Sequence, residues 1–279
     1  MKKAPVNKII LFSNVDGPGN RTSVFFQGCN FNCRFCHNPE TIRLCTHCGA
    51  CVPRCPAGAL QLSAGKVLWD PAACVQCDTC LKTCPNSASP RVRWMSAGEI
   101  LEEIRRAFPY IEGITVSGGE CTLRAEVLLE LFPLVHAEGK TCLLDSNGSF
   151  DFRANPGLLD VSDGIMLDVK AVNPEWSRFL LGVLPEKVLE NLDFLLHAGR
   201  LQEVRTVILP GRNAENEETV RYVAERIGMA CDYKIIRYRP FGVREEQQRI
   251  LGEEETAPDE AERFAALARS LGAGRAFVV

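Results

Sequence analysis

Cys29, Cys33 and Cys36 stand at C-x3-C-x2-C spacing within Gly28-Cys29-Asn30-Phe31-Asn32-Cys33-Arg34-Phe35-Cys36-His37-Asn38-Pro39. A loop with that spacing can turn three thiolates inward around one soft metal centre. A cube of four irons and four sulfides takes one protein ligand per iron, usually from four cysteines. Three cysteines leave one iron open, and an open coordination position is where chemistry happens, by the logic that separates catalytic from structural zinc. The competing assignment is a zinc knuckle with His37 as fourth ligand. It is disfavoured because His37 directly follows Cys36, and neighbouring residues chelate one metal with poor geometry.

Residues 43–91 carry eight more cysteines in two repeats, each ending in proline. The first is Cys45-x2-Cys48-x2-Cys51-x3-Cys55-Pro56, and the second is Cys74-x2-Cys77-x2-Cys80-x3-Cys84-Pro85. This is the two-cluster ferredoxin pattern, in which the fourth cysteine of each run ligates the other cluster. It pairs Cys45, Cys48, Cys51 and Cys84 on one cube, and Cys74, Cys77, Cys80 and Cys55 on the other. A zinc ribbon would need paired C-x2-C knuckles without the trailing C-x3-C-Pro. So short a segment cannot hold a core unaided, so the clusters are expected to hold it together.

Composition supports metal over disulfides. Eleven of the 14 cysteines lie between Cys29 and Cys84, and no apolar run reaches the length of a membrane span. Met1-Lys2-Lys3-Ala4-Pro5 leads into a strand and not a signal peptide, so a cytoplasmic protein without a membrane partner is expected. A net charge of −3 argues against nucleic acid as a partner. Cys121, Cys142 and Cys231 are expected to be small buried residues.

The rest of the chain alternates strands and helices. Strands are expected at 7–12 and 22–27, joined by the turn Val15-Asp16-Gly17-Pro18-Gly19-Asn20-Arg21. Ser96-Ala97-Gly98-Glu99 is a capping box opening a helix to about Phe108. Strands at 113–116, 141–144, 164–167, 204–209 and 234–239 end in polar motifs, with helices to about 134 and at 185–198, 216–227 and 258–271. A last strand is expected at 276–279. Repeated βα units make a parallel sheet with helices outside. About six units are too few for an eight-stranded barrel, so an open or partial barrel is expected. Its core spans 1–42 and 92–279, interrupted by the ferredoxin-like domain 43–91.

Parallel sheets build sites at the carboxyl ends of their strands. Those ends carry Ser117-Gly118-Gly119-Glu120, Asp145-Ser146-Asn147-Gly148 and Asp168-Val169-Lys170. The glycines let a backbone come close to a ligand, and Asp168 and Lys170, two apart, can share a face.

These residues carry a resemblance. C-x3-C-x-Phe-C resembles the signature of radical S-adenosylmethionine (SAM) enzymes. With Val15-Asp16-Gly17-Pro18-Gly19, Phe26-Gln27-Gly28-Cys29, Cys36-His37-Asn38-Pro39, Ile114-Thr115-Val116-Ser117-Gly118-Gly119-Glu120 and the two acidic motifs, nearly the whole chain resembles the glycyl radical enzyme activating enzymes. The two-ferredoxin insert and Glu112-Gly113-Ile114 resemble the YjjW-type branch. The resemblance implies an α/β fold, a partial (β/α)6 barrel, and one-electron cleavage of SAM to methionine and a 5′-deoxyadenosyl radical. That radical takes a hydrogen atom from a backbone glycine of a partner glycyl radical enzyme.

By the same resemblance, Cys29, Cys33 and Cys36 hold the catalytic cluster and Phe35 packs beside the adenine. Asn38 joins it in binding SAM, and Gly118, Gly119 and Glu120 hold the methionine amino group. Asp145, Asp168 and Lys170 hold SAM, and Arg205 and Val207 continue its wall. A monovalent cation is implied at Asp145, Ser146, Met166 and Asp168. A monomer fed by a flavodoxin or ferredoxin, with three [4Fe–4S] clusters, is expected. Two positions depart from the family: Arg239 stands where many members have His, and Cys121 where Pro is usual.

The insert's clusters serve either as an electron relay or as structural support. Asp16 either meets an incoming peptide, from a turn beside the site mouth, or caps its own turn through an Asx-type bond. Two other readings stay open. One is a radical SAM peptide or small-molecule enzyme with auxiliary clusters. The other is a ferredoxin fused to a binding module, which has no need of an open iron.

Overall fold

The computed structural model describes residues 2–279. Its strands are β1 (Ala4–Ser13), β2 (Arg21–Phe26), β3 (Leu60–Ser63), β4 (Lys66–Trp69), β5 (Arg93–Met95), β6 (Gly113–Gly118), β7 (Thr141–Ser146), β8 (Gly164–Asp168), β9 (Leu201–Ile208), β10 (Asp232–Arg237) and β11 (Ala276–Val278). Nine form one sheet in the order β11-β10-β9-β8-β7-β6-β2-β1-β5. Every neighbouring pair from β2 across to β11 is parallel, and β1 runs antiparallel to both β2 and β5. The sheet is thus largely parallel and mixed with helices, as the alternating pattern predicts. β6 and β8 read Gly-Ile-Thr-Val-Ser-Gly and Gly-Ile-Met-Leu-Asp, nearly all buried, as strands covered on both faces must be.

The capping box is formed. The Ser96 side chain accepts from the Glu99 N–H, the Glu99 carboxylate accepts from the Ser96 N–H, and Ile100, Leu101 and Ile104 are buried. The α-helix stops at Ile104 and tightens into a 3-10 turn over 105–110, short of the expected end at Phe108. Pro109 explains this, since it offers no N–H to the preceding turn and disfavours helical backbone at Phe108. Short helices at Pro156–Asp160, Pro174–Leu181 and Glu245–Leu251 were not anticipated. Among the described residues no helix is long and apolar enough to cross a membrane.

Residues 43–91 leave after β2 and return as the edge strand β5. Between lie the hairpin β3–β4 and a small separate core of Cys51, Leu60 and Val67. The turn after β1 differs from expectation. It joins the amino end of β2, opposite the cysteine loop, and folds inward over the sheet instead of lying beside the mouth. Hydroxyls draw it in: Ser13 and Ser23 each donate to Asp16 Oδ2 at 2.6 Å, and Thr115 donates to the Asp16 carbonyl at 2.6 Å.

Candidate active site

The loop carrying Cys29, Cys33 and Cys36 follows β2 and is tied down along its length. Gly28 N–H donates to the Thr41 carbonyl at 2.7 Å and Cys29 N–H to Ile42 at 2.9 Å. Asn32 and Arg34 N–H groups donate to Leu181 and Leu180 on the unanticipated helix 174–181. The Arg34 guanidinium donates to the Phe179 carbonyl and to Gln247 Oε1 on helix 245–251. Two short helices therefore serve as the loop's outer wall. Phe31, Cys33 and Phe35 are buried in the main core, while Asn38 is exposed at the loop's end.

Gly118 and Gly119 clasp this loop from β6. Gly119 N–H donates to the Phe26 carbonyl at 2.9 Å, and Glu120 N–H to Gly28 at 2.8 Å. A Cβ at Gly118, where φ is +120°, would lie 2.1 Å from the Phe26 carbonyl oxygen; one at Gly119 would lie 2.3 Å from that of Gly28. The two glycines are thus demanded by close backbone approach. Glu120 turns away to the end of β7. It is buried and accepts from the Thr122 hydroxyl, the Ser146 hydroxyl and the Asn147 N–H.

Charges gather where β6, β7, β8 and β9 end. Asp145 Oδ2 accepts from Ser117 Oγ at 2.8 Å and pairs with Arg205 at 2.9 Å. Lys170 pairs with Asp168. Val207, two positions beyond Arg205, shares its face of β9 and is half-buried. Burial works against the Lys170 and Arg205 charges, but Asp168 and Asp145, their main carboxylate partners, outweigh it and hold both well above their usual pKa. Burial pushes the Cys29 thiol up to about 11 and Cys33 to about 12, and the Lys170 charge pulls both back. Lys170 likewise acts on Cys36. The three thiols also feel one another, so they converge on one space beside the ammonium. Loading a metal there must displace thiol protons.

The residues expected around a monovalent cation do not fit one as they stand. The Arg205 guanidinium donates to Met166 Sδ and pairs with Asp145, while Ser146 is bonded to Glu120 and Asp168 to Lys170. A cation would have to displace a guanidinium already held by two carboxylates.

Asn147 adds a residue to which the sequence reading gave no role. Its side-chain amide lies 3.7 Å from Cys29 Sγ and donates to Asn30 Oδ1. The signal was its place in Asp145-Ser146-Asn147-Gly148, at a strand end, but nothing local linked it to residue 29. Arg239 is exposed, and its carbonyl accepts from His37 Nε2 at 2.9 Å. Cys121 is fully buried, and burial raises its thiol far above the ordinary range, so it is inert. Cys142 and Cys231 are buried too.

In the 43–91 segment, Cys55, Cys74, Cys77 and Cys80 line one cavity with Trp69 and Arg91. The Cys84 thiol acts electrostatically on Cys45 and Cys51, Cys45 also feels Cys48, and Cys51 feels Cys80 of the neighbouring group more than Cys84. The donor chemistry, eight thiols gathered in one short segment, fits two thiolate-bound clusters.

A family model for the radical SAM superfamily matches residues 23–223, and the chain belongs to that superfamily. Its sequence narrows the class. A Haemophilus influenzae protein described as a glycyl-radical enzyme activating enzyme is 32% identical over 265 residues, covering 87% of this chain and 84% of that one. The choline trimethylamine-lyase activating enzyme of Oleidesulfovibrio alaskensis is 31% identical over 266 residues, covering 87% and 86%. The chain is a member of the glycyl radical enzyme activating enzymes, which cleave SAM to install a glycyl radical on a partner. Likeness of fold extends to Streptococcus suis SuiB bound to its precursor peptide SuiA, with a TM-score of 0.56 at 11% identity over 90% of this chain and 46% of SuiB.

Proposed function

We propose that this activating enzyme carries three [4Fe–4S] clusters, one at an open catalytic site and two in a ferredoxin-like domain spanning 43–91. Residues 1–42 and 92–279 then form a partial (β/α)6 barrel around the catalytic site. The observation that carries the reading is the convergence on Lys170 of three thiols, Cys33 buried and Cys29 and Cys36 half-buried, beside the Asp145–Arg205 pair. Cys29, Cys33 and Cys36 hold the catalytic cluster, which supplies the electron that cleaves SAM.

This chain's own residues orient the SAM. The backbone of Gly118 and Gly119 receives the methionine amino group, with Glu120 fixing the end of β7 behind it. Lys170 and Arg205 neutralise its carboxylate, and Asp145 and Asp168 keep both cations in place. Phe35 and Asn38 flank the adenine, and Val207 closes the wall.

Cys45, Cys48, Cys51 and Cys84 hold one further cluster, and Cys55, Cys74, Cys77 and Cys80 the other. Their part is to relay electrons from a flavodoxin or ferredoxin to the catalytic site. The enzyme acts in the cytoplasm as a monomer. Iron and sulfide analysis after anaerobic reconstitution should give about twelve irons per chain. About four irons, with zinc in the segment, would remove the two-cluster domain from this account.

The inward-folded turn reaches Met166, which Arg205 contacts at the site, so a partner segment entering over the sheet brings an arginine flanking its glycine to Asp16, forming a charge-assisted pair. Asp16→Asn keeps an acceptor for Ser13 and Ser23 and removes the charge. Truncating one member of such a desolvated pair costs roughly 2–5 kcal/mol. The expected result is unchanged SAM cleavage without partner, and a poor glycyl radical yield at sub-saturating partner. A wild-type yield by EPR would leave Asp16 as the cap of its own turn.

A further inference from the structure

The two cysteine quartets of the 43–91 segment are not equivalent in their surroundings. Cys45 and Cys84 each receive a backbone N–H, from His47 at 3.3 Å and from Ala88 at 3.4 Å. Among the described residues no side chain donates to that quartet. Three side-chain donors surround the other. The Thr79 hydroxyl lies 3.3 Å from Cys77 Sγ. Trp69 Nε1 is buried without a hydrogen-bond partner in the described structure, on the wall of the cavity the four cysteines line. Arg91 lines the same cavity, held there by Asp78 at 2.6 Å.

An indole N–H is a donor only, and burying one unpaired costs free energy. An orphaned donor on the wall of a thiolate-lined cavity is matched when a negatively charged cluster fills it.

We propose that Trp69 and Arg91 stabilise the reduced form of the cluster held by Cys55, Cys74, Cys77 and Cys80, giving it the higher reduction potential of the insert's two clusters. The inference rests on the two-cluster reading above. One electron from an external low-potential donor adds a unit of negative charge to the cluster, and no bond is made or broken. Hydrogen bonds and positive charge at the sulfurs favour the more negative state and so raise the potential. The insert then holds its first electron at this cluster, and the Cys45/Cys48/Cys51/Cys84 cluster is the harder one to reduce.

The test is an EPR-monitored redox titration of the full-length, three-cluster enzyme, wild type against Trp69→Phe, with iron content measured on each sample. Phenylalanine keeps an aromatic ring and removes the donor. At any fixed potential, the reduced-to-oxidised ratio of one cluster should fall about tenfold, or ~59 mV for one electron, with the other two unchanged. If Trp69→Phe fails to load, Arg91→Gln carries the same expectation. About twelve irons with unmoved midpoints would overturn the inference and leave the cluster reading intact. A shift of all three midpoints together would also overturn it. About four irons in the wild type would overturn both.

Discussion

Cys33→Ala reduces SAM cleavage to background with any reductant, whereas Cys74→Ala leaves most of it when a strong chemical reductant is supplied. The difference follows from position. Cys33 is the buried one of three thiols facing Lys170, and three is the minimum set for a cube with one open iron. On the proposed reading its loss would leave two protein ligands, too few to hold the cube, so the open site would be lost with it. Cys74 lies in the 43–91 segment and lines a cavity shared with Cys55, Cys77 and Cys80. On the proposed relay, its loss would interrupt electron delivery while the cysteine loop stays tied to Thr41, Ile42, Leu180 and Leu181. With a protein donor, Cys74→Ala should be slower by several-fold. 5′-Deoxyadenosine measured by chromatography under both reductants separates the two roles. Equal loss in both variants would make the segment a structural support.

The second large effect is expected from Gly118→Ala. Its φ of +120° is one that L side chains rarely adopt, and the added methyl would stand 2.1 Å from a carbonyl oxygen and 2.4 Å from the Phe26 nitrogen. Backbone strain of about 1–3 kcal/mol and overpacking of about 1–3 kcal/mol both apply. Together they predict a fall in Tm of roughly 5–15 °C. The displaced contact joins β6 to the start of the cysteine loop, so iron retention should fall with it. Gly252→Ala is the control, since Gly252 has a φ of +106° with no atom within 4 Å of the new methyl. It suffers the strain without the clash. Equal melting temperatures for the two variants would mean that the contact between β6 and the loop contributes little.

Much of this arrangement was legible in the sequence because the signals are local. The capping box at Ser96 and Glu99 needs four residues, and the cysteine repeats need about eleven each. The parallel pairing of the sheet followed from alternating βα units, whose handed crossovers leave few choices. What stayed hidden is non-local. The contact of Asn147 with Cys29 spans 118 residues, and that of Arg34 with Gln247 spans 213. Helices 174–181 and 245–251 are too short to give a strong periodic signal, and the latter has mostly exposed or half-buried positions. Tertiary contact with the cysteine loop supports both.

The turn at Asp16 was misplaced for a related reason. Hairpin logic locates its ends but not the hydroxyls of Ser13, Ser23 and Thr115 that fold it over the sheet. The cation site was misjudged because a motif names donors without saying which are taken. Arg205, read from the family as part of the SAM wall, already occupies Asp145 and Met166.

The central claim is that cleavage of SAM here ends in a radical on a partner's backbone glycine. Anaerobic incubation of the reconstituted enzyme with SAM, reductant and a glycyl radical enzyme from the same cell, read by EPR alongside product analysis, tests it most directly. The account predicts a glycyl radical doublet accompanied by matching amounts of 5′-deoxyadenosine and methionine. SAM cleavage that yields a modified peptide or small molecule, with no glycyl radical on any such partner, would contradict it.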